Sequence, residues 1–334
     1  MQFQEFSGDQ TRRLVNSEQR YSTYRDAVQK IHQSFRGSMT FKTVKGQQYL
    51  YHVVDGVAKS LGPQNAETIE LARAFKDGRK RLRERRDTVQ QLIEKEARVD
   101  RAMGIGSAPV MAADILRKID QAGLLGRGLS VVGTNAIYAY ARRAGGQIAS
   151  DFLATGDIDL LFDSRRRLRL ISDRTDDGLI GLLRKVDDSF DPVSPGAFRA
   201  TNDEGYMVDL IQPQHSATAA GNASIGDSAD LQAAEIEGLV WLQNVPQLEQ
   251  IVLDERAQPF VMVVPDARAF ALHKLWISER EARDPAKRRR DLGQARLVAK
   301  LVDRYFADSD FDDPAIHAIP ATLRARAKEL LGED

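Results

Sequence analysis

Between Met39 and Leu61 the residues MTFKTVKGQQYLYHVVDGVAKSL alternate apolar and polar side chains, interrupted at Lys45-Gly46 and Asp55-Gly56. A period of two broken by such dipeptides predicts three short strands joined by hairpins. From Asn65 to about Met103 the composition turns to Ala, Leu, Glu, Arg and Lys, with Leu71, Phe75, Leu82, Val89 and Leu92 on one stripe. That spacing predicts a long, mostly exposed helix, which Gly78 kinks or splits. Beyond Ser107 helical and strand periods mix. Helices are expected at Val110 to Ala122, Asn135 to Arg143 and Thr175 to Val186, and strands at Leu129 to Val132 and Ile158 to Phe162. Phe198 to Thr201 and Tyr206 to Ile211 form a hairpin across Asn202-Asp203-Glu204-Gly205, and His215 to Asp230 reads as a loop. Strands near Gln250 to Leu253 and Phe260 to Val264 precede a helical run from Asp266 to about Phe306, broken at Asp284-Pro285.

The fold class is therefore α+β, with three expected domains: 1–106, a basic arm of a small sheet and a long helix; 107–255, a mixed core; and 256–334, a helical region. Composition narrows the chemistry. The 334 residues include no cysteine, which removes disulfides, thiolate nucleophiles and cysteine-ligated zinc or iron–sulfur centres. A cytoplasmic setting is expected. No apolar run approaches the roughly 20 residues that span a bilayer, and the N-terminal residues lack the apolar stretch of a secretory signal. The 48 Lys and Arg balance 48 Asp and Glu, so any basic surface is local. The five histidines, at 32, 52, 215, 273 and 317, show no metal-ligand spacing.

The chemistry-bearing stretch is SVVGTNAIYAYARRAGGQIASDFLATGDIDLLFD. A β-like run ends at Gly133-Thr134, a helix follows, and the next strand begins Asp157-Ile158-Asp159. Successive strand side chains point to opposite faces, so Asp157 and Asp159 project together, two hard oxygen donors for one cation. Gly133 lets a phosphate approach the backbone, and Thr134 adds a hydroxyl. Asp209, in YMVDLIQP, is a third carboxylate; an anion inside an apolar strand needs compensation, unless the strand lies at an edge and Asp209 faces water. Lys274 sits on a helical stripe with Phe270 and Ile277, either a phosphate ligand or a lysine snorkelling from the core boundary.

Gly-Thr at a strand–helix turn, Asp-Ile-Asp on a strand and a later strand Asp resemble the DNA polymerase β-like nucleotidyltransferase superfamily over Leu129 to Ile211. GTNAIYAYARRAG, TGDIDLLFD, GYMVDLIQP and ALHKLWISER look like a bacterial family of nucleotidyltransferase-fold proteins, extending the match to about Ala299. Gly133-Thr134 stands where the superfamily usually has Gly-Ser or Gly-Gly, and the interval before the acidic pair is longer than usual.

The resemblance implies a five-stranded mixed sheet with flanking helices. It also implies a nucleoside triphosphate donor and two divalent cations, Mg2+ or Mn2+, held by Asp157, Asp159 and Asp209, with Gly133, Thr134 and Lys274 binding the nucleotide. The reaction would then transfer a nucleoside monophosphate to a hydroxyl and release pyrophosphate. An acceptor on RNA, such as tRNA, is suggested by residues 36–86. There Arg36, Lys42, Lys45 and Lys59 precede eight basic residues between Arg73 and Arg86, and Tyr49 and Tyr51 share a strand face suited to stacking on bases. The alternatives are a nucleic-acid-binding protein with an idle core, and nucleotidylation of a small molecule or protein.

Overall fold

The computed structural model describes residues 3–148, 153, 155–165, 178–214, 230–307 and 310–332. The loop expected from His215 lies outside the described residues up to position 229, as do the first three residues of the helix expected from Thr175. The chain divides into two compact units, Arg12–Val99 and a second formed by Met1–Thr11 with Asp100–Asp334.

The first elements are β1 (Phe3–Glu5), α1 (Gly8–Ser34), β2 (Ser38–Val44), β3 (Gln47–Val54), β4 (Val57–Pro63) and α2 (Ala66–Ala102). Strands β2, β3 and β4 form an antiparallel sheet in that order. Lys45, Gly46, Asp55 and Gly56 all have positive φ. That is the backbone two-residue hairpin turns demand when their twist matches the flanking strands, and it explains why both dipeptides are legible in the sequence. Leu50 is fully buried and His52 stands edge-on to Phe75 of α2 at 5.6 Å, so this strand face is the core face. Gly78 does not split α2, which runs through it unbroken. A methyl group there would come within 2.5 Å of the Phe35 ring, which packs on Phe75 at 5.4 Å. Glycine makes room for an aromatic at that turn.

The second unit continues with α3 (Val110–Gln121), β5 (Leu129–Val132), α4 (Ala136–Arg143), β6 (Gly146–Ile148), β7 (Asp157–Phe162) and α5 (Gly178–Arg184). Next come β8 (Asp191–Pro192), β9 (Arg199–Thr201), β10 (Met207–Pro213), β11 (Ala234–Ile236), α6 (Leu239–Gln243), β12 (Gln247–Leu253) and β13 (Pro259–Pro265). Last are α7 (Ala267–Ser278), α8 (Pro285–Tyr305), a 3-10 turn at Pro314–Ile316, α9 (Ala321–Arg324) and α10 (Ala327–Leu331). Among the described residues the central sheet has six strands, in the order β5-β7-β10-β9-β8 with β11 also on β10. It is mixed: β10 runs parallel to β7 and β11, and the other pairs are antiparallel.

Residues 107–255 and 256–334, expected as separate domains, lie in the same compact unit. The Tyr140 hydroxyl of α4 donates to the Pro265 carbonyl at 2.8 Å, and its ring meets Phe270 of α7 at 5.2 Å. Asp266 caps α7 by accepting from the Arg268 amide. Asp284 caps α8 by accepting from the amides of Ala286 and Lys287, with Pro285 in the first turn. Both follow the preference for a short acidic side chain at the start of a helix, and the second accounts for the break read at Asp284-Pro285. Asp230 does the same for α5, accepting from the Leu179 and Ile180 amides at 2.9 Å each. Among the described residues no helix is long and apolar enough to cross a membrane.

Candidate active site

The site grows from two adjacent parallel strands. On β7, Ile158 and Leu160 are fully buried while Asp157 and Asp159 between them are half-buried, the alternation expected of a strand with one face in the core. On β10, Asp209 lies directly opposite Asp159 in the ladder and Met207 opposite Asp157. Register thus places all three carboxylates on one face. Because β10 is flanked by β7 and β9, the edge-strand reading of Asp209 does not hold, and the residue is only 6% exposed.

Gly133 follows β5 with φ +67°, and a Cβ there would overlap the Asp159 carboxylate. Glycine is required twice, for the left-handed backbone and for the close approach of Asp159. Asn135 anchors the turn from the other side, its Nδ2 donating to the Asp157 carbonyl at 2.7 Å. The amides of Ala136, Ile137 and Tyr138, at the start of α4, donate back to the carbonyls of Gly133, Thr134 and Asn135. These three helix-start amides are therefore already engaged within the turn. Thr134 is buried, its hydroxyl accepting from Gln294 Nε2 of α8 at 3.1 Å.

Lys274 is 5% exposed, and its ammonium donates to Asp291 Oδ1 at 2.7 Å. It does not snorkel. Arg283 completes the group, Nε and Nη2 donating to Asp291 Oδ2 at 3.0 and 2.9 Å. Burial pushes the Asp291 carboxyl up, but the two cations outweigh it and hold its pKa below the ordinary value. Burial lowers the Lys274 ammonium, opposed by Asp291 and by Asp159. His273 beside it is buried, and burial above all, then the Lys274 charge, lowers its pKa to about 3; it packs against Trp241 and Trp276 as a neutral ring.

The carboxylate face is under electrostatic load. Asp159 is pushed up to about 6, first by burial and then by Asp157 and Asp209, with Lys274 and Arg283 partly offsetting them. Arg199 of β9, across the ladder from Asp209, grips it with Nε on Oδ1 and Nη2 on Oδ2, both at 2.6 Å. The Thr155 hydroxyl donates to Asp157. Among the described residues no group of three His, Asp or Glu side chains is arranged to hold a metal ion. With both Asp209 oxygens on Arg199, the accessible hard donors are those of Asp157 and Asp159.

Sequence reading had singled out Asp157, Asp159, Asp209, Gly133 and Thr134, and the fold brings them to one place. Lys274 joins them through the charge it exerts on Asp159 rather than through an exposed ammonium. Arg199, Asn135, Arg283, Asp291 and Gln294 were missed. A signal for two of them was available: Asp291, Gln294, Ala295 and Val298 share the spacing of a buried helical stripe, and all four are buried.

In the other unit, α2 and the start of β2 border a groove of about 890 Å³ whose cations are Arg73, Lys76, Arg79, Lys80 and Arg83. Burial and neighbouring Arg83 lower the Arg79 guanidinium pKa. Asp77, Glu84 and Asp87 share the lining.

A nucleotidyltransferase family model matches residues 110–319, spanning the carboxylate strands, the glycine turn and the bracing helices. No curated protein and no solved structure matches the chain. With the match covering more than half of its length, the chain belongs to that nucleotidyltransferase family.

Proposed function

We propose that this protein transfers a nucleoside monophosphate from a nucleoside triphosphate to an acceptor hydroxyl, in the manner of polymerase β-like enzymes, with release of pyrophosphate. The observation that carries this reading is the in-register placement of Asp159 and Asp209 on neighbouring parallel strands, beside Asp157 and a glycine turn moulded to Asp159. The donor set fits hard divalent cations: all its donors are carboxylate oxygens, and the burial and then the carboxylate crowding that raise Asp159 are what a bound positive charge offsets. Mg2+ or Mn2+ on Asp157 and Asp159, with Asp209 as the further ligand, would supply charge neutralisation at the triphosphate and activation of the attacking oxygen.

The chain's own residues do the rest. The backbone of Gly133, Thr134 and Asn135 cradles the phosphates, and a side chain at Gly133 would close that space. Gln294 and Asn135 hold the turn still. Lys274 and Arg283, fixed on Asp291, lower the cost of keeping Asp159 ionised, so they position charge without touching substrate. Asp209, when free of Arg199, is the carboxylate suited to take the acceptor proton. Rate enhancement comes from alignment and electrostatics.

RNA in a cytoplasmic setting is the acceptor we favour, because the groove on α2 gathers five cations and backbone phosphates are bound through such clusters. Tyr49 and Tyr51, half-buried on the strand face away from Leu50, remain suited to stacking on bases.

The test is incubation with each α-labelled triphosphate, Mg2+ and total RNA, beside a variant carrying Asp157→Ala with Asp159→Ala and another carrying Lys76→Gln with Lys80→Gln. Label on RNA is expected for the wild type, none for the first variant, and reduced, salt-sensitive labelling for the second. Labelling that survives loss of both aspartates would overturn the site assignment; label on protein or a small molecule instead would replace the acceptor. Salt-sensitive RNA binding without labelling of any acceptor would mark the core as idle.

A further inference from the structure

Arg199 is the residue the nucleotidyl-transfer reading does not yet employ. It lies opposite Asp209 in the β9–β10 ladder, and its fork covers both carboxylate oxygens at 2.6 Å. Those are the atoms a divalent cation would need. The two partners differ in freedom: the Arg199 side chain is 35% exposed, the Asp209 side chain 9%. The guanidinium carbon also stands 5.6 Å from the Phe198 ring, which is 40% exposed and offers a second resting place. Lys274 and Arg283, the other cations whose charge reaches this face, are committed to Asp291. A buried Asp209 beside Asp159 and Asp157 would, without Arg199, be an uncompensated anion in an acidic cluster.

We propose that Arg199 is a tethered counter-cation. It neutralises Asp209 while the site is empty, competes with a divalent cation for the same oxygens, and yields when a triphosphate brings cation and compensating negative charge together. The freed guanidinium is then a bidentate donor for phosphate oxygens, for which its geometry is suited. The consequence is ordered loading: a cation alone binds weakly, and the third carboxylate is released only as the polyphosphate arrives. This inference rests on the reading of the carboxylates as a cation site, and its test separates the two.

Binding of Mn2+ alone to the full-length chain is followed by the loss of the free-ion paramagnetic resonance signal, for the wild type and for Arg199→Gln, Arg199→Lys and Asp159→Asn. Arg199→Gln is expected to bind Mn2+ about tenfold more tightly than the wild type, the order set by removing one charge-assisted competitor. Arg199→Lys, which keeps the charge without the fork and preserves folding should Arg199→Gln fail to fold, is expected between them. Asp159→Asn is expected to bind least. Thermal unfolding gives a second readout, Mn2+ raising the melting temperature of Arg199→Gln more than that of the wild type. Equal or weaker Mn2+ affinity in both Arg199 variants, with binding still lost in Asp159→Asn, would overturn the counter-cation role and leave the cation site standing. No binding by any form, or undiminished binding by Asp159→Asn, would overturn both.

Discussion

Two clusters of buried charge lie within the same unit and have opposite balance. At Asp291 one carboxylate with no side-chain exposure is met by Lys274 and Arg283. At the strands three carboxylates, Asp157, Asp159 and Asp209, share one face with Arg199 on the third of them. The first cluster is complete by itself and ties α7 to α8. The second carries surplus negative charge, which adds to burial in raising the pKa of Asp159. A closed network of ions behaves as scaffold, and breaking it costs stability; an unbalanced one stores a demand that a ligand answers.

Removing a partner from the balanced cluster gives the largest expected effect. Lys274→Met strands Asp291 with Arg283 alone, and chemical denaturation should show a loss of about 3–5 kcal/mol. Adding Asp291→Leu should recover part of it by removing the orphaned anion. A loss under about 1 kcal/mol for the single variant would deny the cluster its structural role.

Gly133→Ala comes next. The left-handed backbone alone costs about 1–2 kcal/mol with a Cβ present, and the methyl group must also displace the Asp159 carboxylate. Nucleotide transfer should therefore fall further than the melting temperature. Parallel small changes in both would show that the turn tolerates a side chain and that Asp159 need not sit against it.

The smallest effect sharpens the picture of the unbalanced cluster. The Asp159 pKa of about 6 lies above its ordinary 3.8. The folded chain therefore holds this proton more firmly than the unfolded chain, and its penalty on folding is full above pH 6 and fades as pH falls toward 4. In the absence of divalent cations, Asp159→Asn should stabilise the protein at pH 8 by on the order of 1 kcal/mol. That gain should shrink by pH 5. Melting curves with the same gain at both values would show that Asp159 carries no such load.

The sequence made local devices visible and concealed those built from distant partners. The hairpins of the arm, the glycine turn and the Asp-Ile-Asp strand announce themselves within a few residues, because turn chemistry and strand alternation are short-range. Helix α1 gave no such signal: its buried positions are Leu14, Ser17, Tyr21 and Ala27, two of them small, in an otherwise polar stretch. Asp291 sits at the end of KRRRD, where neighbouring charges suggest a solvated helix start, although helical spacing places it with Gln294 and Val298. Arg199 is only ten positions from Asp209, yet its role depends on the register of β9 against β10, which no local pattern specifies. Lys274 stands out by its charge, but its burial is not legible locally, since the partner that allows it lies on the next helix.

The pairing of β7 with β10 also says where this chain can change length. Asp159 and Asp209 are held together by ladder hydrogen bonds, not by the connection between their strands. Residues added or removed in that connection, outside β8, β9 and the buried helix α5, are expected to leave the two carboxylates opposed. One residue deleted within β10 ahead of Asp209 would instead turn that carboxylate to the opposite face of the sheet and bring an apolar neighbour in its place. Length changes are thus open only in the parts of the connection outside α5, β8 and β9, and closed in the strands.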